Sequence, residues 1–85
     1  MMQDKVQMKP NNEMEVIHDK EYDIVLIKFG PPTVAISEPL AEGVYIRREP
    51  KTDRIASIVI EDYSRRHIET LLEFLPVKVS RNKLP

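Results

Sequence analysis

Two histidines with carboxylates nearby are the residues best suited to chemistry, and the first is His18 with Asp19 and Asp23. Imidazole and carboxylate side chains are common ligands of divalent metal ions. These three residues, however, fall in or beside a polar turn, and their spacing does not bring three ligands to one point. We therefore interpret the cluster as a solvated turn and not as a metal site.

The second histidine is His67, which follows Glu61 and Asp62 and could act as a general base. No nucleophile with a supporting group accompanies it, and acids are common at the start of a helix because they complement its dipole. The chain has no cysteine, which excludes disulfides, thiol nucleophiles and cysteine-based zinc sites. We therefore expect no enzymatic activity, no bound metal and no cofactor.

Basic residues are concentrated around a predicted hairpin, where they could bind a phosphate backbone. Two acids, Glu49 and Asp53, interrupt them, and Tyr45 is the one aromatic residue close enough in sequence to stack on a base. A surface of salt bridges is therefore the preferred interpretation, and nucleic-acid binding by the hairpin Arg47–Arg54 is the alternative. The possible basic patch consists of Arg47, Arg48, Lys51 and Arg54, joined by Arg65 and Arg66.

The composition is that of an ordinary globular domain. Thirteen basic and fourteen acidic residues give a net charge of −1, which argues against a general nucleic-acid binder or a polybasic membrane protein. The 85 residues are enough for one domain. The first residues lack the apolar region of a signal peptide, and no apolar run approaches the ~20 residues of a membrane helix. We expect a soluble, cytoplasmic protein.

The elements that would position these residues are β-strands, one at residues 13–18 and the others between residues 22 and 62. Runs rich in Ile, Val and Tyr alternate with turns that contain Gly or Pro, as is typical of antiparallel strands. Three of the runs are apolar on both faces, which indicates strands covered on both sides. The predicted strands are 13–18, 22–29, 33–37, 44–48 and 54–61, with the third at an edge because Pro39 ends it, and with a turn at 40–43.

A single amphipathic helix follows the strands. It starts near Asp62 or Ser64, either of which can cap it, and it ends at Pro76. The predicted fold is α+β, with a small mostly antiparallel sheet of about five strands and one C-terminal helix. Residues 1–12 are predicted to be a flexible N-terminal tail, 13–76 the single α+β domain, and 77–85 a C-terminal tail or short extra strand. The apolar stripe of the helix is Ile68, Leu71, Leu72 and Leu75.

One helix covers only one face of such a sheet. Twelve helical residues span ~18 Å, which is enough for a single face. Contiguous apolar patches are rare on monomers, so the second face needs a cover: curling of the sheet into a half-barrel, the 77–85 tail folding back, or another protein chain. We prefer another chain, and a symmetric homodimer is its simplest form. The predicted core consists of Val16, Ile24, Val25, Leu26, Ile27, Val44, Ile46, Ile58 and Ile60 from the strands and Leu71 and Leu72 from the helix.

Several short motifs between residues 14 and 66 share an order with a known family; they are Tyr22–Asp23, Ser37–Glu38, Glu42–Ile46, Pro50–Ile55 and Ile58–Ser64. In this order they resemble the bacterial and archaeal domain-of-unknown-function family numbered twenty-two eighty-three. The family usually has Gly-Ile-Glu-Ile in its fifth strand, where this chain has Ser57–Ile60. No role of that glutamate is therefore carried over.

The resemblance implies a small antiparallel sheet with a helix and, loosely, pairing with small ribonuclease-like toxin domains. Together with the two-sided strands, it predicts a non-enzymatic interaction or assembly module. The expected partner is a second copy of the chain or a small protein. No membrane is expected as a partner, and nucleic acid is the alternative.

Overall fold

The computed structural model describes residues 14–85, so the predicted tail at residues 1–12 lies outside the described residues. It contains one antiparallel sheet and one α-helix, which confirms the predicted α+β fold. The sheet has the strand order β1-β2-β5-β4-β3. The elements are β1 Met14–Asp19, β2 Ile24–Phe29, β3 Ile36–Ala41, β4 Val44–Arg48, β5 Ile55–Ile60 and α1 Ile68–Phe74, with single 3₁₀ turns at Tyr63–Arg65 and Arg81–Lys83.

The last strand in the sequence, β5, lies in the middle of the sheet between β2 and β4. The hairpins β1–β2 and β3–β4 therefore do not pair with each other directly. Residues 30–35 connect β2 to the edge strand β3, and we call this connection the strap. Gly30, with φ 86, begins the strap in a backbone conformation that glycine adopts without steric cost.

The third strand differs from its predicted position. It was expected at 33–37 with a proline stop, whereas β3 runs from Ile36 to Ala41 and includes Pro39. Proline is tolerated there because β3 is an edge strand, where a residue without an N–H need not break a ladder. The pairing register with β4 shifts between Pro39 and Ala41. The turn is therefore shorter than predicted, with Glu42 and Gly43 between the strands and Gly43 at φ 75.

The helix is also shorter than predicted, because residues 62–66 form a left-handed residue, a 3₁₀ turn and an extended residue instead of a helix. Asp62 has a left-handed φ of 53, and a 3₁₀ turn then places Tyr63 in the core. Arg66 is extended, with φ −85 and ψ 148, so it separates this turn from α1. The α-helix begins only at Ile68, after the extended residue His67. Neither Asp62 nor Ser64 caps it.

The core lies between one face of the sheet and the C-terminal third of the chain. Val16 and Leu72 are only partly buried against it, and the predicted core members Ile24 and Leu26 are not part of it. The buried cluster consists of Val25, Ile27, Val44, Ile46, Ile58 and Ile60 from the strands, and Tyr63, Leu71, Leu75, Val79 and Leu84 from the residues that cover them.

Residues 77–85 form no strand, and they are not detached from the domain either. Val79 and Leu84 are only 7% exposed and belong to the core cluster. The Tyr63 hydroxyl donates a hydrogen bond to the Pro85 carbonyl oxygen at 2.9 Å. Burial of an aliphatic side chain of this size is worth about 1.5–3 kcal/mol, so this segment helps α1 to cover the sheet.

Candidate interaction face

The two faces of the sheet are different surfaces. Side chains alternate between the faces along a strand, and register aligns them across strands. Val25, Ile60 and Val44 are paired across β2, β5 and β4, as are Ile27, Ile58 and Ile46, and all six are buried. We call their side the core face. The alternate residues lie on the other side, which we call the open face.

The centre of the open face is a line of apolar side chains that crosses the whole sheet. The register pairs Ile17 with Leu26, Leu26 with Val59, Val59 with Tyr45, and Tyr45 with Pro39. Ile17 is 40% exposed, and Leu26, Val59 and Tyr45 are half-buried. None of the five belongs to the core cluster. We call these five residues the apolar row.

A polar row flanks the apolar row on one side, and it contains Lys28, Ser57 and Arg47 in register. Lys28 Nζ lies 3.9 Å from Glu15 Oε1, in the same row. Ser57 is 3% exposed, and its hydroxyl has no hydrogen-bond partner among residues 14–85. The guanidinium of Arg47 likewise has no hydrogen bond or ion pair within that range. The strap borders this row, and the two line an open surface pocket of about 240 Å³.

The opposite side of the apolar row ends in acidic residues. The Glu61 backbone N–H donates to the Gly43 carbonyl oxygen at 2.8 Å, which extends the β5–β4 ladder by one residue. Glu61 therefore lies on the open face, two residues beyond Val59. Its carboxylate has no ion pair within the described part of the chain. Glu42 and Asp62 line the same end.

Two arginines also lie at this acidic end. The Arg66 guanidinium packs so closely on Gly43 that a side chain at position 43 would collide with it, and Arg66 Nε donates to the Glu61 carbonyl oxygen at 2.8 Å. Arg66 thereby holds the β3–β4 turn against the end of β5. Arg65 is exposed beside it. This end therefore carries charges of both signs.

The six residues of the predicted basic patch do not form one surface. Lys51 and Arg54 lie at the β4–β5 turn, whereas Arg65 and Arg66 follow the other end of β5. The five residues of β4 separate the two groups, and its first and last residues are ~13 Å apart along the strand. The expectation that Arg65 and Arg66 join the hairpin bases is therefore not met, and Arg47 lies on the open face between them.

Two arginines of the hairpin end are engaged by acids, and the first is Arg48. Its Nε donates to Glu38 Oε2 at 3.1 Å, and its Nη1 donates to the Asp53 carbonyl oxygen at 3.0 Å. Arg54 Nη2 donates to Glu49 Oε2 at 2.8 Å, and its Nη1 donates to the Phe29 carbonyl oxygen at 3.0 Å. This end of the sheet is therefore a salt-bridged surface, as the interrupting acids predict.

The Glu49 carboxylate is the most strongly perturbed group of this cluster. Hydrogen bonds from Arg54 and from the Thr52 hydroxyl, the latter at 2.6 Å, lower its pKa to about 2. Donors that favour the charged form lower a carboxyl pKa in this way. The shift is explained by the closure of a turn, so it does not point to a catalytic group.

The His18 cluster also has a structural explanation. The Asp23 carboxylate accepts hydrogen bonds from the Ser64 hydroxyl at 2.7 Å and from the Ser64 amide at 3.1 Å, and these bonds lower its pKa. The His18 ring meets the Tyr63 ring edge to face, with centroids 5.6 Å apart. Asp23 therefore fastens the β1–β2 hairpin to the segment after β5. No group of three or more His, Asp or Glu side chains within residues 14–85 is placed to hold a metal ion.

The second histidine, His67, lies at the start of α1 and contacts a side chain of its first turn. His67 Nδ1 lies 2.8 Å from Thr70 Oγ1, within the first turn of the helix. Asp62 lies instead at the left-handed turn that precedes Tyr63. The three residues that suggested a general base are therefore in different local structures.

Comparison with known proteins finds no matching family model, no matching curated protein and no matching solved structure. The resemblance to family twenty-two eighty-three therefore stays a prediction. No helix in the described part of the chain is long and apolar enough to cross a membrane.

Proposed function

We propose that this chain is a non-enzymatic interaction or assembly module of the cytoplasm, and that it binds another protein chain through the open face. The observation that carries the proposal is the apolar row, which crosses all five strands. α1 and residues 77–85 cover the core face instead. Contiguous apolar surface rimmed by polar residues is typical of protein-binding sites.

The flanks of the row support the same proposal. A protein interface combines an apolar centre with a polar rim. Here Lys28 and Arg47 lie on one side of the row and Glu61 lies on the other. Tyr45, at the centre of the face, is of a residue type that is enriched at interfaces, because it combines a large apolar ring with a hydroxyl group.

Nucleic-acid binding is the weaker alternative. To bind a nucleic acid, the arginines of the hairpin would have to break their ion pairs with Glu38, Glu49 and Asp53 and form new ones with phosphates. The family resemblance favours a small protein as the partner, such as a ribonuclease-like toxin domain. A second copy of the chain is the other partner that this proposal includes.

The test is hydrophobic-dye binding at about 1 µM protein, a concentration at which a weak partner does not compete with the dye. Leu26→Lys places a charge in the apolar row, and we expect it to abolish most of the dye signal of the wild type. Ile36→Lys is the matched control, since Ile36 is 58% exposed but lies outside the row. Thermal melts of both variants establish that they are folded.

Absence of dye binding to the wild type would contradict the proposal. A steep fall in the binding of a mixed oligonucleotide with added salt would instead support the nucleic-acid alternative, because phosphate contacts release counterions.

A further inference from the structure

We propose that the polar row and the strap form a binding site for a phosphate group, which comes either as inorganic phosphate or on a small phosphorylated molecule. The site is the open surface pocket of about 240 Å³ between them. Lys28, Ser57 and Arg47 supply its donors, and the strap is its wall. Such a site needs no partner chain, so it can be tested apart from the apolar row.

The floor of the pocket is Ser57, in the central strand β5. Ser57 is 3% exposed, and its hydroxyl has no hydrogen-bond partner among residues 14–85. Buried hydroxyl groups in folded proteins almost always have a partner, because an unpaired one has lost its hydrogen bonds to water. The Ser57 hydroxyl can donate one hydrogen bond, and an oxygen of a ligand in the pocket would accept it.

Two cations flank this hydroxyl on the same face of the sheet. Ser57 is paired with Lys28 on β2 and with Arg47 on β4, so the three side chains are neighbours in register. The two flanking strands are ~10 Å apart, which leaves room for an anion between the ammonium and the guanidinium groups. A water molecule could satisfy the hydroxyl alone, whereas an anion satisfies the hydroxyl and both cations.

No acid among residues 14–85 lines the pocket. Its neutral lining residues are Leu26, Gly30, Pro31, Pro32, Thr33 and Ala56. The acid of the polar row, Glu15, lies on the far side of Lys28 from Ser57. Glu15 Oε1 is 3.9 Å from Lys28 Nζ, and the Glu15 side chain is 62% exposed. This is a weak surface pair, which a ligand of Lys28 can replace.

The backbone around the pocket is shaped by a bulge and by the strap. The pairing of β4 with β5 passes over Ala56, and the pairing of β2 with β5 ends at Ser57. Bulges of this kind re-aim side chains and are common next to active sites. Arg54 Nη1 donates to the Phe29 carbonyl oxygen at 3.0 Å, which fixes the strand end from which the strap starts. Two consecutive prolines then restrict the strap, so the wall of the pocket is preformed.

The arrangement favours a tetrahedral anion over a planar one. Lys28 and Arg47 approach from two sides and Ser57 from the floor, so the donors come from three directions. A phosphate group has an oxygen for each donor, whereas a carboxylate has two oxygens in one plane. A phosphate monoester also carries about two negative charges at pH 7, which matches the two cations. Pockets for drug-sized ligands measure about 300–1,000 Å³, so a pocket of 240 Å³ takes the phosphate group and leaves the rest of a ligand outside.

The experiment is an NMR titration of the isotope-labelled full chain with inorganic phosphate at about pH 7.5, with sodium chloride added to keep the ionic strength constant. We expect saturable shifts of the amide signals of Lys28, Ser57 and Arg47 and of the strap. The dissociation constant should be roughly 0.1–5 mM, since the ion has few atoms with which to bind. A second titration with glycerol phosphate distinguishes the two sources. Tighter binding than that of inorganic phosphate identifies a phosphate ester as the ligand, and weaker binding identifies the free ion.

Charge variants assign the binding to the pocket. Arg47→Gln and Lys28→Gln should each raise the dissociation constant at least about fivefold, because each removes a charge-assisted hydrogen bond. Lys51→Gln is the matched control, since it removes the same charge from the hairpin turn, outside the pocket, and should bind phosphate like the wild type. Glu15→Gln should bind phosphate more tightly, because Lys28 loses a competing acid.

The deciding variant is Ser57→Ala. It removes a buried hydroxyl that has no partner within the chain, so the melting temperature should stay the same or rise. The same variant should weaken phosphate binding about threefold or more, because the ligand loses a donor. A serine with a purely structural role would show the opposite pattern, with a lower melting temperature and unchanged phosphate binding.

Other outcomes would overturn the inference in distinguishable ways. The absence of saturable shifts up to about 50 mM phosphate would exclude the site. Equal weakening by Arg47→Gln and Lys51→Gln would mean that the surface attracts phosphate without a specific site. Acetate that binds as tightly as phosphate would indicate a site for carboxylates. A mixed oligonucleotide that binds more tightly than glycerol phosphate would indicate a nucleic-acid surface. None of these results changes the dye binding expected of the apolar row, so the proposed function stands or fails separately.

Discussion

The two faces of this sheet are built from the same kinds of residue, yet only one of them is a core. Ile58 and Val59 are adjacent β-branched residues on β5; Ile58 is 0% exposed, whereas Val59 remains half-buried. The difference arises outside the sheet, because Tyr63, Leu71 and Leu84 all pack on one side. The apolar residues after the strands cover one face, and within residues 14–85 none of them belongs to a buried cluster on the other face.

The largest predicted difference in unfolding free energy between the two faces is at adjacent positions of β5, Ile58 and Val59. Ile58→Ala should cost about 2–5 kcal/mol of unfolding free energy, because it leaves a cavity in a closed core. Val59→Ala should cost under about 1 kcal/mol, because water already reaches that site. Urea melts of the two variants measure both values. Equal losses would mean that the open face is as closely packed as the core face.

The next effect concerns the segment that completes the core face. Leu84→Ala should cost about 2 kcal/mol, at the low end for a buried leucine, because the exposed neighbours Lys83 and Pro85 leave the segment free to relax around the gap. Lys83→Ala is the matched control, since Lys83 is exposed and neighbours Leu84 in the same segment. A melt in which both variants match the wild type would mean that residues 77–85 contribute nothing to the cover of the sheet.

A smaller effect is expected where this segment is fastened. Tyr63→Phe removes the hydrogen bond to the Pro85 carbonyl and should cost about 1 kcal/mol. Burial raises the pKa of Tyr63 above its usual 10.0, so the contribution of the neutral hydroxyl is complete below pH 10 and is lost as pH rises through the higher folded value. Alkaline unfolding of the wild type and Tyr63→Phe should therefore converge. Parallel curves at pH values well above the ordinary tyrosine pKa would contradict the assignment.

The smallest effect lies at the hairpin end, away from both faces. The pKa of Glu49 is lowered from its ordinary 4.5 to about 2, so its contribution to stability is present above pH 4.5 and is lost as pH falls towards 2. An NMR titration of the Glu49 carboxyl measures that pKa directly. Thr52→Val removes one of its donors and should raise the pKa, while Lys51→Ala should leave it unchanged. A wild-type carboxyl that titrates at its ordinary pKa would show that the Arg54 pair does not form.

The sequence was sufficient to predict the sheet, since β-rich runs and turn residues mark all five strands. It also predicted the core members Val25, Ile27, Val44, Ile46, Ile58 and Ile60 correctly. The sequence could not distinguish the two faces of the sheet, however, so Ile24 and Leu26 were wrongly predicted to belong to the core. Which face is covered depends on how the last third of the chain packs, and periodicity along a strand contains no such information.

The end of the chain was the hardest part to predict. Residues 77–85 were predicted to be a C-terminal tail or a short extra strand, and no periodic pattern indicated that Val79 and Leu84 would both be buried in the core. The edge position of the third strand was predicted correctly, but Pro39 was wrongly expected to end that strand, whereas an edge strand can include a proline. The alignment of the polar row could have been found only from the pairing of β5 with β2 and β4, which residue types do not specify.

The central place of β5 also has a consequence for the order in which the molecule folds. The hairpins β1–β2 and β3–β4 are local, but nothing joins them into one sheet until residues 55–60 take their place between them. The nucleus of the folding reaction should therefore include β5, where contacts of long sequence separation are made. Ile58→Val should slow refolding in a stopped-flow experiment, whereas Val16→Ala at the edge should mainly accelerate unfolding. During synthesis on the ribosome, the two hairpins must wait unjoined until this strand has left the exit tunnel.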